Sequence, residues 1–185
     1  MILGPVGWAF MGYGGGSGGA GEPFEFQGQE FQPRVQNGQT LFFTQLNGEE
    51  VGFYHDPYTI ETLEVSEDFL SRYKQSDSLY VITGTNQSIG QLEEMFMIMV
   101  DDVSRFTAKD GIRASTQEQL FNDNIEVKTC EGIEDDEVGL RYTRNPGNES
   151  LIYPTNTSGC YALNGDQFEL LQTRDYLVMA GNGLI

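Results

Sequence analysis

The chain is poor in the residues that most enzymes and nucleic-acid binders depend on. It has one histidine, two cysteines, one tryptophan and, among ten basic residues, only three lysines: Lys74, Lys109 and Lys128. Two cysteines and one distant histidine lack the ligand spacing of a zinc site. No Gly-x-Ser-x-Gly elbow is present, and His55 lies in a hairpin pattern beside Asp56 and Pro57, so a serine–histidine hydrolase has no support. The glycine-rich stretch over residues 12–21 is followed by no Gly-Lys-Ser/Thr and preceded by no strand pattern, which removes the phosphate-loop and dinucleotide readings. The shortage of positive charge excludes most. With 28 acidic residues the formal net charge is −18, a field that repels nucleic acid and anionic membrane surfaces.

What is present points to a folded acidic domain. The 38% hydrophobic and 12% aromatic content is too high for a disordered acidic chain, and 185 residues suffice for one domain with a real core. A lysine-poor, carboxylate-rich surface is expected of a halophilic protein. Three regions follow. Residues 1–11 are apolar but too short to span a bilayer and lack the basic start of a secretory signal. They read as a truncated membrane anchor or as a disordered start. Residues 12–23 form a Gly-rich linker, and residues 24–185 form a single α/β domain.

That domain is organised around residues 79–106. Leu79, Tyr80, Val81 and Ile82 form a β-prone apolar run, and Gly84, Thr85 and Asn86 supply a turn. Ser88 with Gln91 makes a capping-box pattern, and Ile89, Leu92, Met95, Phe96, Met99, Val100, Val103 and Phe106 recur at helical spacing. Upstream, Asn47-Gly48 between alternating segments predicts a type I′ hairpin pairing Leu46 with Glu49, Thr44 with Val51 and Phe42 with Phe53. His55 is expected on the same face, opposite Thr40, and residues 60–65 as an extended piece after Pro57. Ser66, Glu67 and Asp68 open a second helix. Downstream, residues 125–130 alternate as a strand, and residues 138–143 and 150–154 read as a hairpin. A short strand follows over 159–163, and Asp166 with Glu169 caps a last helix running to about Met179. The fold class expected is α/β or α+β: a single-domain sandwich of a mixed β-sheet with about three helices packed on it.

Several of these segments together carry a resemblance. LFFTQLNGEEVGFYHDPYTIETLEV, the LYVITGTN strand, Cys130, the LIYPTNTSGCYALNG region and a helix ending Gly183-Leu184-Ile185 resemble uncharacterised secreted or membrane-tethered proteins of small-genome, DPANN-type archaea, over roughly residues 40–185. The resemblance implies an extracellular domain behind an N-terminal membrane tether, and it implies no activity, cofactor or catalytic residue. The apolar start is shorter than such an anchor.

The residues that could carry chemistry are few. Cys130 and Cys160 can bond in an oxidising compartment, or stay as two buried thiols in a cytosolic protein. Asn86, Asn148 and Asn156 each begin an N-glycosylation sequon in a predicted turn. Glu131, Glu134, Asp135, Asp136 and Glu137 make an acidic loop that reads as solvated surface or as a Ca²⁺ site, without EF-hand spacing. Gly84, Thr85, Asn86 and Ser88, at a strand-to-helix turn, could present backbone N–H groups to an anion. No catalytic residue, metal site or cofactor is expected. The reading is a non-catalytic extracellular or cell-surface domain for envelope structure, adhesion or contact with a protein or cell-surface partner. The alternative is a small-ligand-binding or hydrolytic domain with its site at the 84–88 turn.

Overall fold

The structure is a computed structural model that describes residues 21–84, 90–116, 125–143 and 151–185. The anchor segment and most of the linker lie outside those residues. Where the sequence drew one domain over 24–185, the chain divides into two compact units, one ending at Thr59 and the other beginning at Ile60. Its strands form two sheets where one mixed sheet was expected, and the α+β character stands.

The first unit is an antiparallel meander of β1 (Phe24–Phe26), β2 (Gln29–Gln36), β3 (Gln39–Leu46) and β4 (Glu49–Phe53). Each connection is two residues long, Gln27-Gly28, Asn37-Gly38 and Asn47-Gly48, and both residues of each turn have positive φ, between 51° and 83°. That is the type I′ geometry whose twist matches the flanking strands, and it closes the strands into a sheet of their own. The Asn47-Gly48 register is the expected one: Leu46 opposite Glu49, Thr44 opposite Val51, Phe42 opposite Phe53. Leu46, Val51 and Phe53 are buried, with Phe31 packed on Phe53 at 5.7 Å between ring centroids. On the opposite face Phe43 lies over Gly52 of the neighbouring strand, and the Arg34 guanidinium sits 4.6 Å above its ring while pairing with Glu50 at 2.6 Å. β4 stops at Phe53, so His55 lies beyond the ladder rather than opposite Thr40.

Pro57 does more than end a strand. It begins α1 (Pro57–Glu61), where its missing N–H costs nothing, and Asp56 accepts a hydrogen bond from Tyr58 N at 2.9 Å. The extended piece expected over 60–65 therefore shrinks to a bridge between Val65 and Ile152.

The second unit is a six-stranded sheet in the order β7-β6-β5-β8-β10-β9. Its strands are β5 (Ser78–Thr83), β6 (Asp110–Ser115), β7 (Glu126–Val127), β8 (Glu137–Thr143), β9 (Ile152–Pro154) and β10 (Cys160–Asn164). All pairings are parallel except β9 with β10. The hairpin expected between 138–143 and 150–154 does not form, because β10 lies between its two arms. Cys-Tyr-Ala-Leu-Asn is buried along its whole length, as suits an interior parallel strand, whereas Pro154 has no N–H to donate and confines β9 to an edge.

Helices α2 (Glu67–Gln75), α3 (Gly90–Phe106) and α4 (Gln167–Gly181) cover one face of this sheet, where Phe69 packs on Tyr161 and Phe96 on Tyr142. Close approach of α3 depends on Gly111: a Cβ there would stand 2.1 Å from the Val100 carbonyl oxygen. The Asp166–Glu169 capping box forms as expected, and α4 is buried on almost every side. The other sheet face presents Tyr80, Ile82, Ile112 and Ala114, and among the described residues no α-helix covers it. Cys130 and Ile133 pack there instead, from a segment that becomes a short 3₁₀ turn (Cys130–Gly132) where a strand through Cys130 was expected. Among the described residues no helix is long and apolar enough to cross a membrane.

Candidate functional site

The polar cleft of the second unit lies at the amino end of β10 and is built by three separate stretches of chain. α2 contributes Asp68 and Arg72, four residues apart and so on one helix face, together with Ser71 and Gln75. The turn from β9 into β10 contributes residues 154, 155 and 157–161, and Asp135 comes from the segment that covers the second sheet face. Together they enclose about 310 Å³.

The walls are tied to one another. Arg72 donates from Nε to the Glu137 carbonyl at 3.0 Å and from Nη2 to the Glu134 carbonyl at 2.7 Å, fastening α2 to the covering segment. Its guanidinium also lies against Gly159, where φ is +77° and a Cβ would stand 2.5 Å from Nη2, so both conformation and space require glycine. Thr155 Oγ1 donates to the Cys160 carbonyl at 2.7 Å and accepts from Thr157 N at 3.1 Å, which folds the turn. The disulfide Cys130–Cys160, with Cα atoms 5.4 Å apart, joins that turn to the covering segment. Gly139, across the ladder from Cys160, leaves room for Ile133 of the covering segment: a Cβ there would stand 3.0 Å from the Ile133 side chain.

The Tyr161 hydroxyl donates to Asp68 Oδ2. Burial first, then the Asp68 hydrogen bond and charge, push this phenol well above the ordinary tyrosine range, so at neutral pH it is a proton donor and no nucleophile. Beside the cleft, Glu137 pairs with Lys128 at 2.8 Å and accepts from Glu134 N at 2.9 Å. Burial acts to raise its carboxyl, but those hydrogen bonds and the Lys128 charge outweigh it and hold Glu137 below the usual carboxylate range.

The residues singled out in the sequence fall in different places. Cys130 and Cys160 are brought together and bonded. Asn156 is exposed on the turn whose neighbours Thr155 and Thr157 line the cleft. Asn86 and Asn148 lie outside the described residues, as do Thr85 and Ser88. Gly84 directly follows β5 at the carboxyl edge of the sheet, whereas the cleft sits at the amino end of β10. Of the acidic loop, Glu137 is spent on Lys128, and among the described residues no group of three or more His, Cys, Asp or Glu side chains is placed to hold a metal ion. Sequence reasoning missed Asp68, Arg72 and Tyr161. The only local signals were the Asp-x-x-x-Arg spacing and the glycine before Cys160.

No protein-family model, curated protein or solved structure matches this chain.

Proposed function

We propose that this protein is a non-catalytic extracellular or cell-surface domain, tethered by its N-terminal segment, that serves envelope structure, adhesion or partner contact in a saline, archaeal setting. The observation that carries the reading is the disulfide. Among the described residues, one face of the second sheet is covered by a short irregular segment, and Cys130–Cys160 staples that segment down. A covering that relies on a disulfide suits an oxidising compartment, because cytosolic thiols are kept reduced. The exposed sequon at Asn156 and the charge of −18 agree with such a surface.

The test is made on protein from its native host. Digestion without reductant should yield the Cys130 and Cys160 peptides as one linked species, and protease added to intact cells should remove the domain. Two separately alkylated cysteines in protein from that source would sink the extracellular reading. The saline part has its own test. Salt shortens the Debye length from about 10 Å at 0.1 M to about 3 Å at 1 M, and repulsion among surface carboxylates weakens accordingly. The melting temperature should therefore rise over that range in KCl and NaCl alike. A flat or falling curve removes the halophilic element, and a rise produced only by Ca²⁺ would point to residues 131–137 instead.

A second reading keeps the alternative at the 84–88 turn. The strand order reverses between β5 and β8, and Gly84 follows β5 at the carboxyl edge, the place where open α/β sheets commonly bind ligands. This is an argument from architecture alone.

A further inference from the structure

We propose that the cleft between α2 and the β9–β10 turn is a binding site for a short, uncharged saccharide. The inference rests on the extracellular reading only for where such a ligand would be met.

The lining chemistry selects the class. Asp68 and Asp135 offer carboxylate acceptors, Arg72 and Gln75 offer N–H donors, and Ser71 and Ser158 offer hydroxyls that do both. A phosphate or carboxylate ligand would meet two aspartates inside a protein of charge −18. An organic cation would meet the Arg72 guanidinium. Among the described residues no group of three or more His, Cys, Asp or Glu side chains is placed to hold a metal ion. An apolar ligand would find little beyond the Pro154 ring and the Tyr161 edge. A sugar hydroxyl donates and accepts at once, and so fits a wall that carries both donors and acceptors, with two carboxylates beside one guanidinium. The volume, about 310 Å³, is at the small end of ligand sites and suits a mono- or disaccharide.

The cleft is also formed in advance. Arg72 holds α2 to the Glu134 and Glu137 carbonyls, Thr155 folds the turn onto the Cys160 carbonyl, and the disulfide joins turn to covering segment. Walls fixed in this way lose little freedom when a ligand enters, which is what a weakly held, polar ligand requires.

The experiment is an NMR titration of the oxidised full chain with glucose, galactose, mannose, N-acetylglucosamine and their disaccharides, beside glucose 6-phosphate and glucosamine as charged controls. A neutral sugar should give saturable shifts in the millimolar range, confined to residues 68–75 and 154–161. Asp135→Asn and Ser158→Ala, both at exposed positions, should weaken it about tenfold. Their melting temperatures should match the parent, which separates lost binding from lost fold. No saturable shift with any neutral sugar overturns the proposal. So do shifts that ignore both substitutions, and so does tighter binding of glucosamine or of the phosphate ester. The outcome is separable from the extracellular reading. Native protein with free thiols that still bound a sugar would overturn only that reading, and linked, surface-exposed protein that bound none would overturn only this inference.

Discussion

Arg174→Met should lower the unfolding free energy by about 3 to 5 kcal/mol, one of the two largest losses expected from a change in the second unit. Arg174 on α4 pairs through Nε with Asp102 of α3 at 2.7 Å and through Nη1 with Asp175 at 2.8 Å. The side chains of Arg174 and Asp175 are 4% and 0% exposed, so water cannot take over when the guanidinium is removed. Methionine fills much of the volume but leaves an enclosed carboxylate without its cation, which is the costly half of breaking a buried pair. The size of the loss should therefore depend on Asp175. Arg174→Met with Asp175→Leu should recover much of the stability, because an apolar pair of similar volume is often as good as the ion pair. Urea denaturation midpoints at constant m-value would read both effects. Equal losses in the single and double variants would mean that lost packing, and not the stranded charge, sets the cost.

Removing the disulfide should cost about 3 to 4 kcal/mol on the chain-entropy account for a closed loop of this length, read as a lower denaturation midpoint in Cys130→Ala/Cys160→Ala. The two cysteines are 30 residues apart in sequence. The damage should also have a place. Without the bond the covering segment keeps the Lys128–Glu137 pair and the Arg72 bonds as anchors, while the face carrying Tyr80, Ile82 and Ala114 loses the staple above it. Amide exchange should accelerate first at residues 130–136 and 157–161 and much less in α3 and α4. An unchanged midpoint in the double variant would show that packing of Ile133 and the Arg72 bonds already suffice.

What could be read in the sequence was whatever a few neighbouring residues decide. Asn47-Gly48 fixes a turn by its own φ angles, and the register of β3 and β4 follows residue for residue. Asp166 and Glu169 close a capping box within one helical turn. The apolar stripe from Leu92 to Phe106 declares a helix whatever it packs against. Asn37-Gly38 carries the same turn chemistry as Asn47-Gly48, but the polar Gln36 and Gln39 beside it hide the alternation. The β8–β9 hairpin failed for a different cause. Two strand-like segments close in sequence suggest pairing, but which strand enters between them depends on the wholly buried β10, and no window around Asn148 contains that information. The cleft was illegible on the same grounds. Asp68, Asp135 and Tyr161 meet only because sheet order and helix packing bring three distant stretches together.

The place of β10 also sets an order on folding. β9 is synthesised before β10, yet among the described residues its one ladder partner is β10, and until residues 160–164 exist the outer edge of β8 stands open as well. Other closures wait equally long: Cys130 for Cys160, Asp102 for Arg174, and Tyr73 for the Leu177 carbonyl, which its hydroxyl meets at 3.0 Å across 104 positions of chain. Contacts between such remote positions are slow to form, since the loop between them must close before any of them is rewarded. A ribosome-bound chain that ends before β10 therefore holds helices and a partial sheet but no closed second unit. That unit can lock only after the stretch from Cys160 to Leu177 has emerged.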